Sequence, residues 1–194
     1  MDRLRPHDLV RITPRAVARI AASAPQWAAR SLLATPWAVV RRARVPGAVA
    51  VGIRGERREE RFATAVQSDE IVCVMTPEAL LAQAPTRRLD AFVALAAVAR
   101  AGREHGLCVG PTGSAGFELA TGMPAVSVGS DLDVVVRAQP SDPALRRFAD
   151  ALRGLAVRTD VEVAFGEDYG VALEEALREG PMLLKTPDGP RIIS

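Results

Sequence analysis

The stretch SDLDVVV at residues 130–136 decides the fold expected for the second half of this 194-residue chain. β-Branched residues favour strands, so the valines after Asp133 predict a strand over residues 131–137. Successive side chains on a strand point to opposite faces, and Asp131 and Asp133 are therefore expected on the same face. Two carboxylates this close repel one another unless a cation lies between them. Mg²⁺ or Mn²⁺ fits such a pair, because hard divalent cations bind carboxylates and substrate phosphates.

A turn upstream of the pair favours a catalytic role over a structural one. On the structural interpretation, Asp131 is a turn residue that starts the strand, and Asp133 is merely exposed. Gly113 and Ser114, however, form a flexible turn just before a helix predicted at residues 117–121. Backbone N–H groups at a helix start bind phosphate readily. The sequence therefore predicts a phosphate-binding turn beside a metal-binding carboxylate pair.

Two further acidic residues lie on a later predicted strand, at residues 157–165. Asp160 and Glu162 are two positions apart, and so share a face of that strand. If this strand pairs beside residues 131–137, one or both carboxylates reach the metal site. Asp160 would then be a general base or a third metal ligand, and the sequence leaves open whether Glu162 shares that role. The alternative is a solvent-exposed strand face with polar side chains.

Composition limits the classes of function. Hydrophobic residues make up 48% of the chain and charged residues 25%, with a formal net charge of +2. These values indicate a globular protein with an ample core, and they do not suggest a nucleic-acid partner. No apolar stretch approaches the roughly 18 residues of a membrane span, and residues 1–10 lack the apolar segment of a signal peptide. We therefore expect a cytoplasmic protein with no membrane partner.

Two domains are expected, with the boundary at the Pro-containing break around residue 85. Residues 1–85 are predicted to form a small α+β domain, and residues 86–194 a larger domain in which helices and strands alternate. Thr76 followed by Pro77 is typical of a helix start, so a helix is predicted from there to residue 84. The other predicted helices lie at residues 13–22, 27–33, 88–105, 117–121, 141–155 and 169–179. The other predicted strands lie at residues 37–44, 48–53, 61–66, 71–75, 107–109 and 182–185.

A longer motif carries a family resemblance. The string GPTGSAGFELATG at residues 110–122, followed by SDLD at residues 130–133, resembles the phosphoribosyl-dephospho-CoA transferases of malonate decarboxylase. These holo-acyl carrier protein synthases belong to the nucleotidyltransferase superfamily. The resemblance covers nearly the whole chain, since RPHDLV at residues 5–10, VVRR at residues 39–42 and LLKT at residues 183–186 also match. It implies that the second domain has a nucleotidyltransferase fold, with a mixed sheet flanked by helices.

The resemblance also implies a reaction. The donor is 2′-(5″-triphosphoribosyl)-3′-dephospho-CoA, the acceptor is a serine of the malonate decarboxylase acyl carrier subunit, and pyrophosphate is released. Asp131 and Asp133 match the family's metal-binding aspartates, and Asp160 matches its later acidic residue. Ser130 is expected to bind substrate together with Gly113 and Ser114. The sequence departs from the family pattern twice, since Val109 replaces an expected tryptophan and Glu162 an expected glutamine.

Three cations are candidates for substrate binding. Arg41 and Arg42 are adjacent on a predicted strand, so they face opposite sides and one of them can reach a phosphate. Lys185 is the only lysine of the chain and is also a candidate. The alternative for all three residues is a solvated surface charge.

Two other functions remain open on the sequence alone. A generic nucleotidyltransferase would move an adenylyl group from ATP and would need the same carboxylate pair. A catalytically silent module would bind the carrier protein without turnover. The intact acidic pair at residues 131 and 133 argues against the silent module.

Overall fold

The computed structural model describes residues 3–57, 59–166 and 168–193. The chain divides into two compact units, Met1–Thr76 and Pro77–Ser194. Both units combine helices with a β-sheet, so the α+β class expected from the sequence is confirmed. Among the described residues, no helix combines the length and the apolar character that a membrane crossing requires.

The first unit is an antiparallel sheet with two helices. Its elements are β1 Leu9–Ile12, α1 Pro14–Ala21, α2 Gln26–Ala34, β2 Trp37–Val40, β3 Val49–Arg54, β4 Arg61–Val66 and β5 Ile71–Met75. Within the described residues the strand order is β4-β3-β2-β1-β5, and every pair is antiparallel. The predicted start of α1 is confirmed, because the Thr13 side chain accepts the N–H of Ala16 and Pro14 is the first helical residue. Ile20 of α1 and Leu32 of α2 are buried in the same apolar cluster as Val10 and Val51.

The second unit contains a mixed sheet. Its elements are α3 Asp90–Glu104, β6 Cys108–Pro111, α4 Gly113–Thr121, β7 Leu132–Arg137, α5 Ala144–Ala151, β8 Thr159–Phe165, β9 Tyr169–Ala172, α6 Leu173–Ala176, β10 Met182–Thr186 and β11 Gly189–Ile193. The described strands follow the order β11-β10-β9-β8-β7-β6. Strands β7 and β8 are parallel and are joined through α5, whereas the other pairs are antiparallel.

The two faces of this sheet differ in polarity. On β7 and β8, Val134, Val136 and Val163 point to one face, where each of them is buried. Helix α3 packs against β6 and β7 and also contacts α5. The opposite face of the same two strands carries Asp133 and Asp160. The apolar face therefore forms a core, and the acidic residues predicted to be functional lie on the other side.

The prediction of a helix over residues 169–179 is wrong. Its first part is β9, and only Leu173–Ala176 is helical. Strand β9 pairs antiparallel with β8 from Phe165↔Tyr169 onwards, which buries Val171 while Tyr169 stays exposed. Residues 172–177 are rich in Ala, Leu and Glu, but Tyr169 and Val171 favour strands and Gly170 disfavours a helix, so the helix begins only at Leu173.

The prediction of a helix from Thr76 to residue 84 is also wrong. This segment contains only a short 3-10 helix, Ala79–Ala82. This segment belongs to the second unit, so the boundary between the units lies earlier than the expected residue 85. The backbone of Pro77 packs directly on Gly110 of β6. Glu78 accepts a 2.9 Å hydrogen bond from Arg137 of β7. These contacts attach the segment to the second sheet.

Replacing Gly110 with alanine is expected to destabilise the protein. The new Cβ would overlap the backbone carbonyl of Pro77, which cannot rotate away as a side chain could. We expect a loss of about 1–3 kcal/mol in the free energy of unfolding, measured by urea denaturation. Gly52→Ala is the control, because its Cβ would meet the flexible Arg41 side chain at 3.3 Å and the Val39 carbonyl oxygen at an ordinary contact distance of 3.9 Å. Equal stabilities of the two variants would contradict the close packing of Pro77 on β6.

Candidate functional site

The predicted metal pair lies at the start of β7. Asp131 directly precedes this strand and Asp133 is its second residue, and both are half-buried. The N–H of Leu132, between them, donates to the Arg158 carbonyl at 2.9 Å, so the chain is already extended beside β8 at this point. Alternation along an extended chain places both carboxylates on the same face.

The turn that precedes α4 approaches this pair closely. Helix α4 begins at Gly113, earlier than the predicted residue 117, so Gly113 and Ser114 form its first turn. Gly113 has φ +55°, and a Cβ at this position would overlap the Asp133 carboxylate oxygen Oδ2. The N–H of Thr112 also donates to the Asp133 carbonyl at 2.8 Å. The glycine therefore lets the helix start lie against the carboxylate, as a phosphate-binding turn beside a metal site requires.

Strand β8 lies directly beside β7, which is the pairing on which the role of Asp160 depends. Asp160 is opposite Asp133 in the parallel register, so the two side chains share a face. Asp160 is exposed and accepts a 3.0 Å hydrogen bond from Arg158. Within the described part of the chain, no group of three or more His, Cys, Asp or Glu residues is arranged to hold a metal. The roles of Asp131, Asp133 and Asp160 as metal ligands therefore stay predictions.

Lys185 and Glu162 form an ion pair on the same face. The Nζ atom of Lys185 lies 2.7 Å from Oε2 of Glu162, whose side chain is buried. Strand β9 separates the two strands that carry these residues, and it contributes Gly170 and Ala172 beneath the pair. Because these two residues are small, the lysine side chain can cross β9 and bring a positive charge to the acidic face.

The other predicted substrate-binding residues have different surroundings. Ser130 closes a turn before Asp131, since its Oγ accepts the N–H of Ser127 at 2.9 Å. Arg41 is exposed and Arg42 is half-buried, and both follow the end of β2 instead of lying on the longer strand predicted at residues 37–44. These arginines belong to the first unit, whereas the acidic pair belongs to the second. Their contact with phosphate stays a prediction.

Sequence reasoning missed a buried carboxylate in α4. Glu118 is only 2% exposed, and its two oxygens accept hydrogen bonds from Nε and Nη2 of Arg87 at 3.1 and 2.6 Å. Its Oε2 atom also accepts the N–H groups of Ala125 and Val126 at 2.7 and 2.8 Å. The signal available in the sequence was an acidic residue among small and apolar residues, in the string GSAGFELA at residues 113–120. An acidic residue in such a segment is rarely buried unless it is paired.

Two opposing effects act on the pKa of Glu118. Burial by itself raises the pKa of this carboxyl, but the hydrogen bonds from Arg87 and from the N–H groups of Val126 and Ala125 outweigh burial and hold it below the ordinary value of 4.5. A group with a lowered pKa in the folded state stabilises the fold above its unfolded pKa, and it loses that contribution as the pH falls through the folded pKa.

Comparisons with known proteins support the family resemblance. The family model for the C-terminal domain of phosphoribosyl-dephospho-CoA transferase MdcG matches residues 79–194, and the model for its N-terminal domain matches residues 5–77. A phosphoribosyl-dephospho-CoA transferase of Pseudomonas putida is 40% identical over 203 residues, which cover 100% of this chain and 95% of the relative. A relative of the same name from Klebsiella pneumoniae (strain 342) is 40% identical over 201 residues, covering 97% of this chain and 93% of the relative. No solved structure gives a significant match.

The chain is thus an α+β protein of two units, each matched by one domain model of the same family. It belongs to the phosphoribosyl-dephospho-CoA transferase (MdcG) family.

The variant Glu118→Gln is expected to lower stability in a pH-dependent manner. At pH 7 the free energy of unfolding of this variant should be about 2 kcal/mol lower than that of the parent protein, because hydrogen bonds to a buried charged group are replaced by weaker ones. The difference from the parent protein should shrink as the pH falls from about 4.5, where the unfolded chain begins to bind the proton, through the lower pKa of the folded protein, where the parent loses its own carboxylate. Urea denaturation at several pH values measures this difference. Asp150→Asn, which removes an exposed pair with Arg153, is the control and should change little. A pH-independent difference for Glu118→Gln would contradict the lowered pKa.

Proposed function

We propose that the protein transfers the phosphoribosyl-dephospho-CoA group from 2′-(5″-triphosphoribosyl)-3′-dephospho-CoA to a serine of the malonate decarboxylase acyl carrier subunit. Similarity to phosphoribosyl-dephospho-CoA transferases over the whole chain supports this reaction. The observation that carries the proposal for the site is the approach of Gly113 to the Asp133 carboxylate. This approach places a helix start and an acidic pair together, as binding of a triphosphate and its cation requires.

In the proposed step, the acceptor serine oxygen attacks the α-phosphorus of the donor. A phosphorus–oxygen bond to the serine forms, the bond from the α-phosphorus to the bridging oxygen breaks, and pyrophosphate leaves. We propose that Asp160 is the general base that accepts the serine proton, since it is exposed to solvent and lies beside Asp133. The described histidines are His7, in the first unit, and His105, after α3, and neither lies on β7 or β8. A carboxylate is therefore the better candidate for the base.

We assign Mg²⁺ or Mn²⁺ to Asp131 and Asp133. The donor set fits, because both side chains offer carboxylate oxygens from one strand face, and the neighbouring helix start leaves no Cβ between itself and Asp133. A bound divalent cation would neutralise charge on the triphosphate oxygens and on the leaving pyrophosphate. The backbone at Gly113 and the side chains of Ser114 and Ser130 would orient the phosphates.

We also propose that Lys185 binds the phosphate groups of the donor. Its ammonium group donates one hydrogen bond to Glu162, and a lysine has three N–H donors. Because Glu162 holds this cation on the acidic face, the lysine charge would offset the repulsion between a polyphosphate and the surrounding carboxylates. Arg41 and Arg42 remain candidates for phosphate binding.

The proposed reaction can be tested by intact mass spectrometry of the apo carrier subunit, incubated with the protein, the donor and Mg²⁺. The parent protein should add the mass of the phosphoribosyl-dephospho-CoA group. Asp131→Asn and Asp133→Asn should each lower the rate by at least about a hundredfold, because each removes a charge that acts on the transferred phosphate. Asp150→Asn, an exposed change on α5, should keep the parent rate.

Two outcomes would overturn this proposal. If the donor gives no product but ATP leads to adenylylation of an acceptor, the protein is a generic nucleotidyltransferase. If neither nucleotide gives a product although the carrier binds, the protein is a silent binding module. Circular dichroism of the aspartate variants separates loss of chemistry from loss of fold.

The two glycines at the ends of α4 provide a second test. Gly113 and Gly122 both have positive φ, of +55° and +72°, so alanine strains the backbone at either position. Only at Gly113 would the added Cβ overlap Asp133, since nothing lies within 4 Å of the corresponding position at Gly122. In the mass assay, Gly113→Ala should lower the transfer rate by roughly a hundredfold, because small misplacements of reacting groups are this costly. Gly122→Ala should lower stability but keep the rate; equal rate losses would contradict the role of the close approach.

A further inference from the structure

The loop that connects α4 to β7 is held from inside the protein at Ala125 and Val126. Val126 is only 3% exposed, and its N–H donates to Glu118 while its carbonyl accepts a 2.7 Å hydrogen bond from Nη2 of Arg87. The adjacent Ala125 N–H donates to the same Glu118 oxygen. Glu118 and Arg87 are thus bonded to each other and to both sides of this loop residue. We call this arrangement the Glu118–Arg87 clamp.

The rest of the loop has little apolar packing of its own. Met123 is 45% exposed and Val128 is 91% exposed, so neither side chain anchors the segment in a core. Beyond the clamp, the turn closed by Ser127 and Ser130 leads directly to Asp131. The path of the chain into the carboxylate pair therefore depends on hydrogen bonds at Val126 and within this turn.

Burying a carboxylate is a costly way to stabilise a loop. Removing an ion pair from water costs free energy that its own attraction often fails to recover, so the pair is by itself weak evidence for a role in stability. Here the carboxylate accepts four hydrogen bonds, two from a planar guanidinium group and two from consecutive backbone N–H groups. Each bond has a defined direction, and together they determine one loop conformation.

We propose that Glu118 and Arg87 are positioning residues for the transfer reaction, which fix the loop at residues 125–130 and thereby the place of Ser130 and Asp131 beside the start of α4. This role rests on the proposed function, because Asp131 is assigned there to the cation. Glu118 lies on the same helix as Gly113, which approaches Asp133. The clamp thus ties the loop that carries Asp131 to the helix that contacts its partner carboxylate.

The first unit contains a matched control pair. Arg19 donates from Nε and Nη2 to the two oxygens of Glu70 at 3.1 and 2.5 Å, which closely reproduces the geometry of Arg87 and Glu118. Glu70 is likewise buried, at 8% exposure, and its Oε2 accepts the backbone N–H of Gln67 at 2.9 Å. The two pairs therefore have similar structural roles, but only the clamp holds the loop that leads to Asp131.

The experiment compares Glu118→Gln with Glu70→Gln in the full-length protein. Hydrogen–deuterium exchange of peptides covering residues 122–131 reports the order of the loop, and the mass assay gives kcat and KM for the donor. We expect Glu118→Gln to speed exchange in the loop and to lower kcat by about tenfold or more, since the displaced group acts in the transition state. Glu70→Gln should leave both quantities at parent values, although it loses a comparable ion pair.

Chemical rescue tests whether the activity depends on the guanidinium group of Arg87 and not on the rest of its side chain. Arg87→Ala should lower kcat in the same way as Glu118→Gln. Because the Arg87 side chain is 38% exposed, added guanidinium at millimolar concentration can enter its site and should restore part of the activity. The same ion should not raise the activity of Glu118→Gln, which lacks the carboxylate partner.

The outcomes distinguish this proposal from the proposed function. An active parent protein whose Glu118→Gln variant keeps the parent kcat, or keeps the parent loop exchange, would overturn the positioning role alone. Equal kcat losses in Glu118→Gln and Glu70→Gln would also overturn it, because general destabilisation would explain both. A parent protein inactive on the donor would overturn the proposed function and the positioning role together.

Discussion

The close approach of Gly113 to the Asp133 carboxylate is the constraint on which the rest of the site depends. It requires a glycine with positive φ at the first residue of α4, and it requires β6 and β7 to be neighbours so that the turn after β6 returns to the start of β7. The parallel pairing of β7 with β8 then adds Asp160 beside Asp133. The contact between Gly113 and Asp133 and the register between β7 and β8 thus bring the helix start and the carboxylates to the same face of the sheet.

A face with this many acidic side chains needs cations to limit their mutual repulsion. The structure provides one for each acidic residue on β8, since Asp160 pairs with Arg158 and Glu162 pairs with Lys185. Strand β9 makes the second pair possible, because its small residues let the lysine side chain cross to the acidic face. Compensation on β8 reduces the negative potential that an incoming polyphosphate would meet at β7.

Local sequence signals predicted the elements that carry the site but not all of their neighbours. The valines after Asp133 and the alternation of Asp160 with Glu162 are short-range patterns, and the strands that they predict are present. Strand β9 was predicted as part of a helix because the helical residues after it follow without a break, although Tyr169 and Val171 favour strands and the pairing with β8 is a tertiary contact with no local signal. The role of Glu118 depends on Arg87, 31 positions away, and on backbone N–H groups of a loop, and neither has a local signature.

The structure shows the surroundings of the two residues that depart from the expected family pattern. Val109, where a tryptophan is expected, lies opposite Val136 in the register and therefore on the apolar face, away from Asp133. It packs so closely on α3 that a Cβ at Gly102 would lie only 2.7 Å from its Cγ2, so this change concerns core packing and not the acidic face. Glu162, where a glutamine is expected, makes an ion pair with the only lysine of the chain. A glutamine could accept the same hydrogen bond from Lys185 but would not neutralise the lysine charge. The negative charge that Glu162 adds is therefore neutralised locally by Lys185.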